Sequence, residues 1–136
     1  MVDVFEEPKR RYIMSRVGSR DTAPEVAVRS IVHRLGYRFR KHRSDLPGNP
    51  DIVLTRYRTV IFVHGCFWHG HPGCKRAARP SSNTGFWHAK LDANIRRDRR
   101  NQRKLRQLGW KVMVVWQCRL RDKQKLTTRI KRFLEG

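Results

Sequence analysis

From His64 to Cys74 the chain sets three histidines, two cysteines and the adjacent aromatics Phe67 and Trp68 within eleven residues. These side chains bind transition metals and move protons. Cys66, His71 and Cys74 fall within nine residues, and the third cysteine, Cys118, follows a distant apolar segment. Cys₃His is a closed tetrahedral set for structural Zn²⁺. One zinc would use every cysteine and tie a long loop to a distant strand. Buried, idle thiols are the bland alternative, and His69 satisfies the spacing as well as His71 does. The histidines not taken by zinc are then available for chemistry.

Between Val26 and Leu91 the only carboxylates are Asp45 and Asp51. Asp51 stands where the turn Leu46-Pro47-Gly48-Asn49-Pro50 enters an apolar strand. An unpaired charge buried there is costly, which favours metal ligation over an Asx-type turn role. A hard cation such as Mg²⁺ takes one or two carboxylates, a backbone carbonyl and waters. A neutral histidine nearby, His64 or His69, can accept a proton from an attacking water. Cation and base together are what phosphodiester hydrolysis needs. Phe67 and Trp68, with Trp87 beyond the loop, are either core or wedges that unstack bases.

The elements that must carry these groups follow from periodicity. Thr59 to His64 is an apolar, β-branched run of strand length. Ahead of it, Asp51–Leu54 is a short buried strand, and Tyr37–Lys41 alternates as a half-exposed one. Thr22 as N-cap with Glu25 three residues on is a capping box, with Pro24 tolerated in the first turn. Val28, Ile31, Val32 and Leu35 continue that helix and Gly36 closes it. Glu25 is thereby explained as a cap, though a cap can also face a metal site. A long helix is expected over about 86–108 with the apolar stripe Leu91, Ile95, Leu105 and Leu108. Its arginines outnumber one acid, Asp98, in the run from Arg96 to Arg106, which suits a phosphate-facing surface. Trp110–Trp116 is a further strand and Lys123–Leu134 a final basic helix. The order predicts an α/β fold, an α/β/α sandwich around a central mixed sheet. Strand 110–116 is expected beside 59–64 through a right-handed crossover. Residues 1–20 form a basic arm, with Tyr12, Ile13 and Met14 in a short helix, and 21–136 the main domain.

A net charge of +21 over 136 residues calls for a polyanionic partner, nucleic acid first. No apolar run reaches membrane-spanning length and no signal-peptide core opens the chain, so the expected compartment is the cytoplasm, without a membrane partner. Three cysteines in a reducing compartment are thiols or metal ligands.

The chain also resembles a known family, the very-short-patch-repair (Vsr) mismatch endonucleases, relatives of the restriction-endonuclease fold. The likeness is carried by Met14-Ser15-Arg16, Arg20-Asp21-Thr22-Ala23-Pro24-Glu25, Leu46 to Asp51, Val60 to His69, Arg97-Asp98-Arg99-Arg100 and Leu108-Gly109-Trp110. The string His64-Gly65-Cys66-Phe67-Trp68-His69 is its most specific part. The resemblance implies a Mg²⁺-dependent enzyme that nicks duplex DNA 5′ of the thymine in a T:G mismatch, the product of 5-methylcytosine deamination. It implies Mg²⁺ on Asp51 and the Val63 carbonyl, His69 as general base, and His64 and Glu25 holding metal-bound water and phosphate. It implies Phe67, Trp68 and Trp87 as an intercalating wedge with Met14 pressing from the other side, and Lys90 and Asn94 reading the mismatch. Cys66, His71, Cys74 and Cys118 would hold the structural Zn²⁺. A monomer is expected, working beside mismatch-repair proteins and a cytosine-5 methyltransferase system. The competing readings are a zinc-stabilised nucleic-acid-binding protein without catalysis, and a nuclease of the same fold with another DNA target. Asp51 argues against pure binding, which has no use for a carboxylate among so many cations.

Overall fold

A computed structural model describes residues 21–136; the expected N-terminal arm, Met14 included, lies outside the described residues. Helix α1 spans Ala23–Arg34, with the Thr22 hydroxyl accepting from the Glu25 N–H and Pro24 in the first turn. Only half of the expected capping box forms. The Glu25 carboxylate accepts from the Asp21 N–H at 3.2 Å, one residue before the cap.

Strands β1 (Arg40–Lys41), β2 (Ile52–Leu54), β3 (Thr59–His64) and β4 (Lys111–Trp116) form one sheet in the order β1-β2-β3-β4. The first two pairings are antiparallel and β3–β4 is parallel, in register from Thr59↔Lys111 to His64↔Trp116. The sheet is therefore mixed. Helix α2 (Thr84–Gln107) makes the β3–β4 crossover, and α3 (Lys123–Glu135) closes the chain. The expected strand over 37–41 shrinks to two residues because β2 runs straight into a 3₁₀ turn at Thr55–Tyr57. Tyr37 and Phe39 pack on the core without ladder partners.

Alternation along the strands separates two cores. Ile52, Leu54, Ile61, Met113 and Val115 face α1 and α3, meeting Val28, Ile31, Val32, Leu126, Ile130 and Leu134. Val53, Val60 and Phe62 face the other way, against Leu105 of α2 and Trp110. The result is the expected α/β/α sandwich. Helix α2 is thinly anchored for its 24 residues. Leu91 and Leu105 are buried and Ile95 half-buried, whereas Leu108 is the helix cap and 55% exposed. Among the described residues no helix is long and apolar enough to cross a membrane.

Leu105 is fully buried beneath the arginine-rich face, so truncating it leaves a cavity that α2 cannot fill alone. Leu105→Ala is expected to cost about 2–5 kcal/mol of stability, measured by urea unfolding.

Candidate active site

Strand β2 begins one residue after Asp51, and the way its ladder with β3 runs out at that end creates the site. Its ladder with β3 ends at Ile52↔Ile61. Two residues on, the same register sets Val63 opposite Pro50, whose ring nitrogen has no hydrogen to give. That leaves the Val63 carbonyl without a backbone donor, while the Val63 N–H donates to the Asp51 side chain, Oδ2 at 2.6 Å. In a strand the N–H and C=O of one residue address the same neighbour, so the Val63 carbonyl lies along the Asp51 edge, unclaimed by β2. Asp51 keeps Oδ1 for another partner. A carboxylate oxygen and a strand carbonyl side by side are the hard oxygen ligands a divalent cation takes.

Asp51 opens into a cleft of about 390 Å³ shared with Glu25, His42, His64, His69 and Asp98. Burial pushes the Asp51 carboxyl up to about 6, against the pull of the Val63 N–H and with a further push from Glu25. A buried carboxylate held in this way gains from a bound cation. His64, at the end of β3, is 4% exposed. Burial first, and His69 second, lower it to about 3, so it is a neutral imidazole at working pH.

His69 stacks on His64, centroids 3.8 Å apart and planes 6° from parallel. Its Nδ1 lies 2.6 Å from Asp98 Oδ2. A carboxylate accepts, so the proton belongs on Nδ1 and Nε2 is left with its lone pair. This is the geometry of an oriented general base. Asp98 had no role in the sequence reading, although one acid inside a run of arginines was a signal. His42 was also missed; its Nε2 lies 2.8 Å from Glu25 Oε2.

The structure separates the two histidines that spacing left open. His69 joins Asp98, while His71 joins the cysteines. The ligand atoms of Cys66, His71, Cys74 and Cys118 all lie within 4.8 Å of one another, near the edge of roughly 3.8 Å of a tetrahedron with Zn–S bonds. Burial pushes the Cys66 thiol up to about 11, so a cation must displace that proton on binding. Three thiols and one imidazole suit a soft-to-borderline metal rather than Mg²⁺.

The intervening loop is pinned on α2. Gly70 has φ +62, and a Cβ there would come within 2.5 Å of the Ile95 side chain, so any other residue would strain the turn and push Ile95 aside. Asn94 donates to the Trp68 carbonyl at 3.2 Å and accepts from Arg97 at 3.0 Å. Phe67 and Trp68 are half-buried and meet edge to face at 5.2 Å. Trp87 is buried, with Phe67 at 5.4 Å and Trp68 at 5.9 Å. It is the ring on which the other two stand. Lys90 is exposed on α2, one turn before Asn94.

Comparison with known proteins agrees with a nuclease site. The family model described as DNA mismatch endonuclease Vsr matches residues 2–76. The chain is 50% identical to the Type II nicking enzyme V.XorIIP of Xanthomonas oryzae pv. oryzae, covering 99% of this chain and 98% of the relative. It is 44% identical to the DNA mismatch endonuclease Vsr of Escherichia coli, covering 93% and 81%. Among solved structures, the catalytic domain of the homing endonuclease I-Bth0305I superposes with a TM-score of 0.58 over 83% of this chain and 94% of that one. At 21% identity this last likeness concerns the fold alone.

The raised Asp51 carboxyl has a consequence for stability. It holds its proton more tightly folded, at about 6, than unfolded, at about 3.9. Between those values the folded state binds more protons, so stability falls as pH rises from about 4 to about 6. Metal-free Asp51→Asn is expected to be more stable than the parent at pH 8, by up to about 3 kcal/mol, and equal to it near pH 4. Thermal unfolding in a chelator across that range checks this.

Proposed function

The chain belongs to the Vsr family of DNA mismatch endonucleases and is a DNA endonuclease, and from that premise we propose that it nicks duplex DNA 5′ of the thymine in a T:G mismatch. One observation carries the reading: Asp51, half-claimed by the Val63 N–H, faces the His69–Asp98 pair across one cleft.

In this reading Asp51 Oδ1 and the Val63 carbonyl hold Mg²⁺, which would stabilise the charge that develops on the phosphate. His69 Nε2 takes the proton of the attacking water, and Asp98 keeps its imidazole in the required tautomer and orientation. His64, uncharged and buried, is a hydrogen-bonding partner for phosphate or water rather than a counter-charge. Glu25 orients water on the opposite wall.

The substrate assignment rests on the aromatic cluster and on charge. Phe67 and Trp68, backed by Trp87, are suited to enter a base step, at a cost lowest where the pair is already mismatched. Arg99, Arg103 and Arg106 line a shallow groove on α2 suited to backbone phosphates. Lys90 and the second amide N–H of Asn94, the one not given to Trp68, are assigned to the mismatched bases, as donors to their oxygens. Zn²⁺ is assigned to Cys66, His71, Cys74 and Cys118, where it locks the loop that carries the wedge. The protein is assigned to the cytoplasm as a monomer, in very-short-patch repair of deaminated 5-methylcytosine alongside mismatch-repair proteins and a cytosine-5 methyltransferase.

A strand-labelled duplex with one T:G pair is expected to be nicked 5′ of the thymine with Mg²⁺ and not with EDTA, and the T:A control left whole. Asp51→Ala is expected to slow nicking at least about a hundredfold with unchanged duplex affinity. Equal loss of binding would make Asp51 structural. Cutting of both duplexes alike would mean another target.

A further inference from the structure

Glu25 is held in a lopsided way. The Asp21 N–H at 3.2 Å, His42 Nε2 at 2.8 Å and the Arg29 guanidinium at 3.9 Å all address the same oxygen, Oε2. Oε1 takes none of these contacts, and Glu25 lines the cleft that it shares with Asp51. Of the three contacts, Arg29 is beyond hydrogen-bond range and the backbone contact is long. His42 makes the short one. The side chains of His42 and Glu25 are only 8% and 6% exposed, so their bond is shielded from water and its geometry is well kept.

His42 reaches this position from the end of β1 through a left-handed backbone turn, φ +55. Its own N–H meets the Asp51 carbonyl at 3.4 Å. One residue thus touches the main chain of one cleft carboxylate and the side chain of the other. It ties α1 to the β1–β2 edge beside the cleft that the two carboxylates line.

We propose that His42 is a positioning residue of the nicking reaction: its Nε2 fixes Glu25 Oε2 so that Oε1 faces Asp51 and completes the cation-holding wall of the cleft. The proposal rests on the metal-dependent nuclease reading given above. A mere packing tie between α1 and β1 would need bulk at position 42 but no hydrogen bond. The distinction lies in what a substitute must supply, since Gln can donate from its amide to the same oxygen and Ala cannot.

The test uses the protein as isolated, with its cysteine site loaded, in the variants His42→Ala, His42→Gln, Glu25→Ala and the double Glu25→Ala/His42→Ala. Two readouts are taken: Mn²⁺ affinity of the free protein by paramagnetic relaxation of water protons, and single-turnover nicking of the T:G duplex. His42→Ala is expected to weaken Mn²⁺ binding and slow nicking by about 10–100-fold with duplex affinity unchanged. His42→Gln should recover most of both. The double variant should be no worse than Glu25→Ala alone, because His42 acts through Glu25. A His42→Ala protein equal to the parent overturns the proposal, as does a glutamine variant as defective as alanine. So does a double variant in which the two losses multiply. Should the parent protein bind Mn²⁺ yet leave T:G duplexes whole, the failure belongs to the assigned reaction, and the Mn²⁺ arm still decides the role of His42.

Discussion

A single hydrogen bond, from the Val63 N–H to Asp51 Oδ2, decides how the β2–β3 ladder ends and what is left over when it does. Had the rung opposite Val63 been an ordinary residue, both polar groups of Val63 would be spent on pairing. Pro50 has no N–H to give the Val63 carbonyl, which stays available, and the side chain of Asp51 takes the Val63 N–H. The same economy recurs around the cleft. Glu25 has Oε2 occupied and Oε1 open, and His69 has Nδ1 occupied and Nε2 open. Each reactive group is oriented through one polar atom and offers the other. Preorganisation of this kind spares the reaction the ordering of its own catalytic groups.

The two metal-competent clusters share a wall of rings. Trp116, the last residue of β4, lies edge-on to His64 with centroids 5.4 Å apart. On its other side it stacks on His71, at 4.3 Å and 13°. His64 in turn stacks on His69. The imidazole of the Cys₃His cluster, a strand tryptophan and the two cleft histidines therefore form one packed row. Anything that holds His71 and Cys118 in place also supports His64 and His69. Packed interiors transmit displacement because they lack voids to absorb it, which gives a cysteine cluster remote from the cleft a mechanical part in it.

Much of this was legible from the residues. The alternation of Val60, Ile61, Phe62 and of Val112, Met113, Val114 marks two buried faces, and the sandwich follows. The cysteines and a nearby histidine could be grouped by spacing because three of the four ligands are neighbours in sequence, but spacing could not choose His71 over His69. Asp51 stood out because carboxylates are scarce around it. Other features were hidden by distance. Asp98 lies 29 residues from His69 and His42 lies 17 residues from Glu25, separations at which no local pattern operates. The shortening of β1 depended on where β2 turns away, and the exposure of Leu108 on where α2 ends. The capping box misled in part, since Glu25 serves a neighbouring N–H and a distant histidine in place of its own cap.

The most direct measurement of the central claim is an anomalous-difference map from crystals of the protein soaked in Mn²⁺, collected on either side of the manganese and zinc edges. A manganese peak about 2–2.5 Å from Asp51 Oδ1 and the Val63 carbonyl, with a separate zinc peak among Cys66, His71, Cys74 and Cys118, is the predicted result. Manganese seated instead between His64, His69 and Asp98, or no peak beside Asp51, would contradict it, because the atoms freed where the β2–β3 ladder ends would then not be the ones that hold the cation.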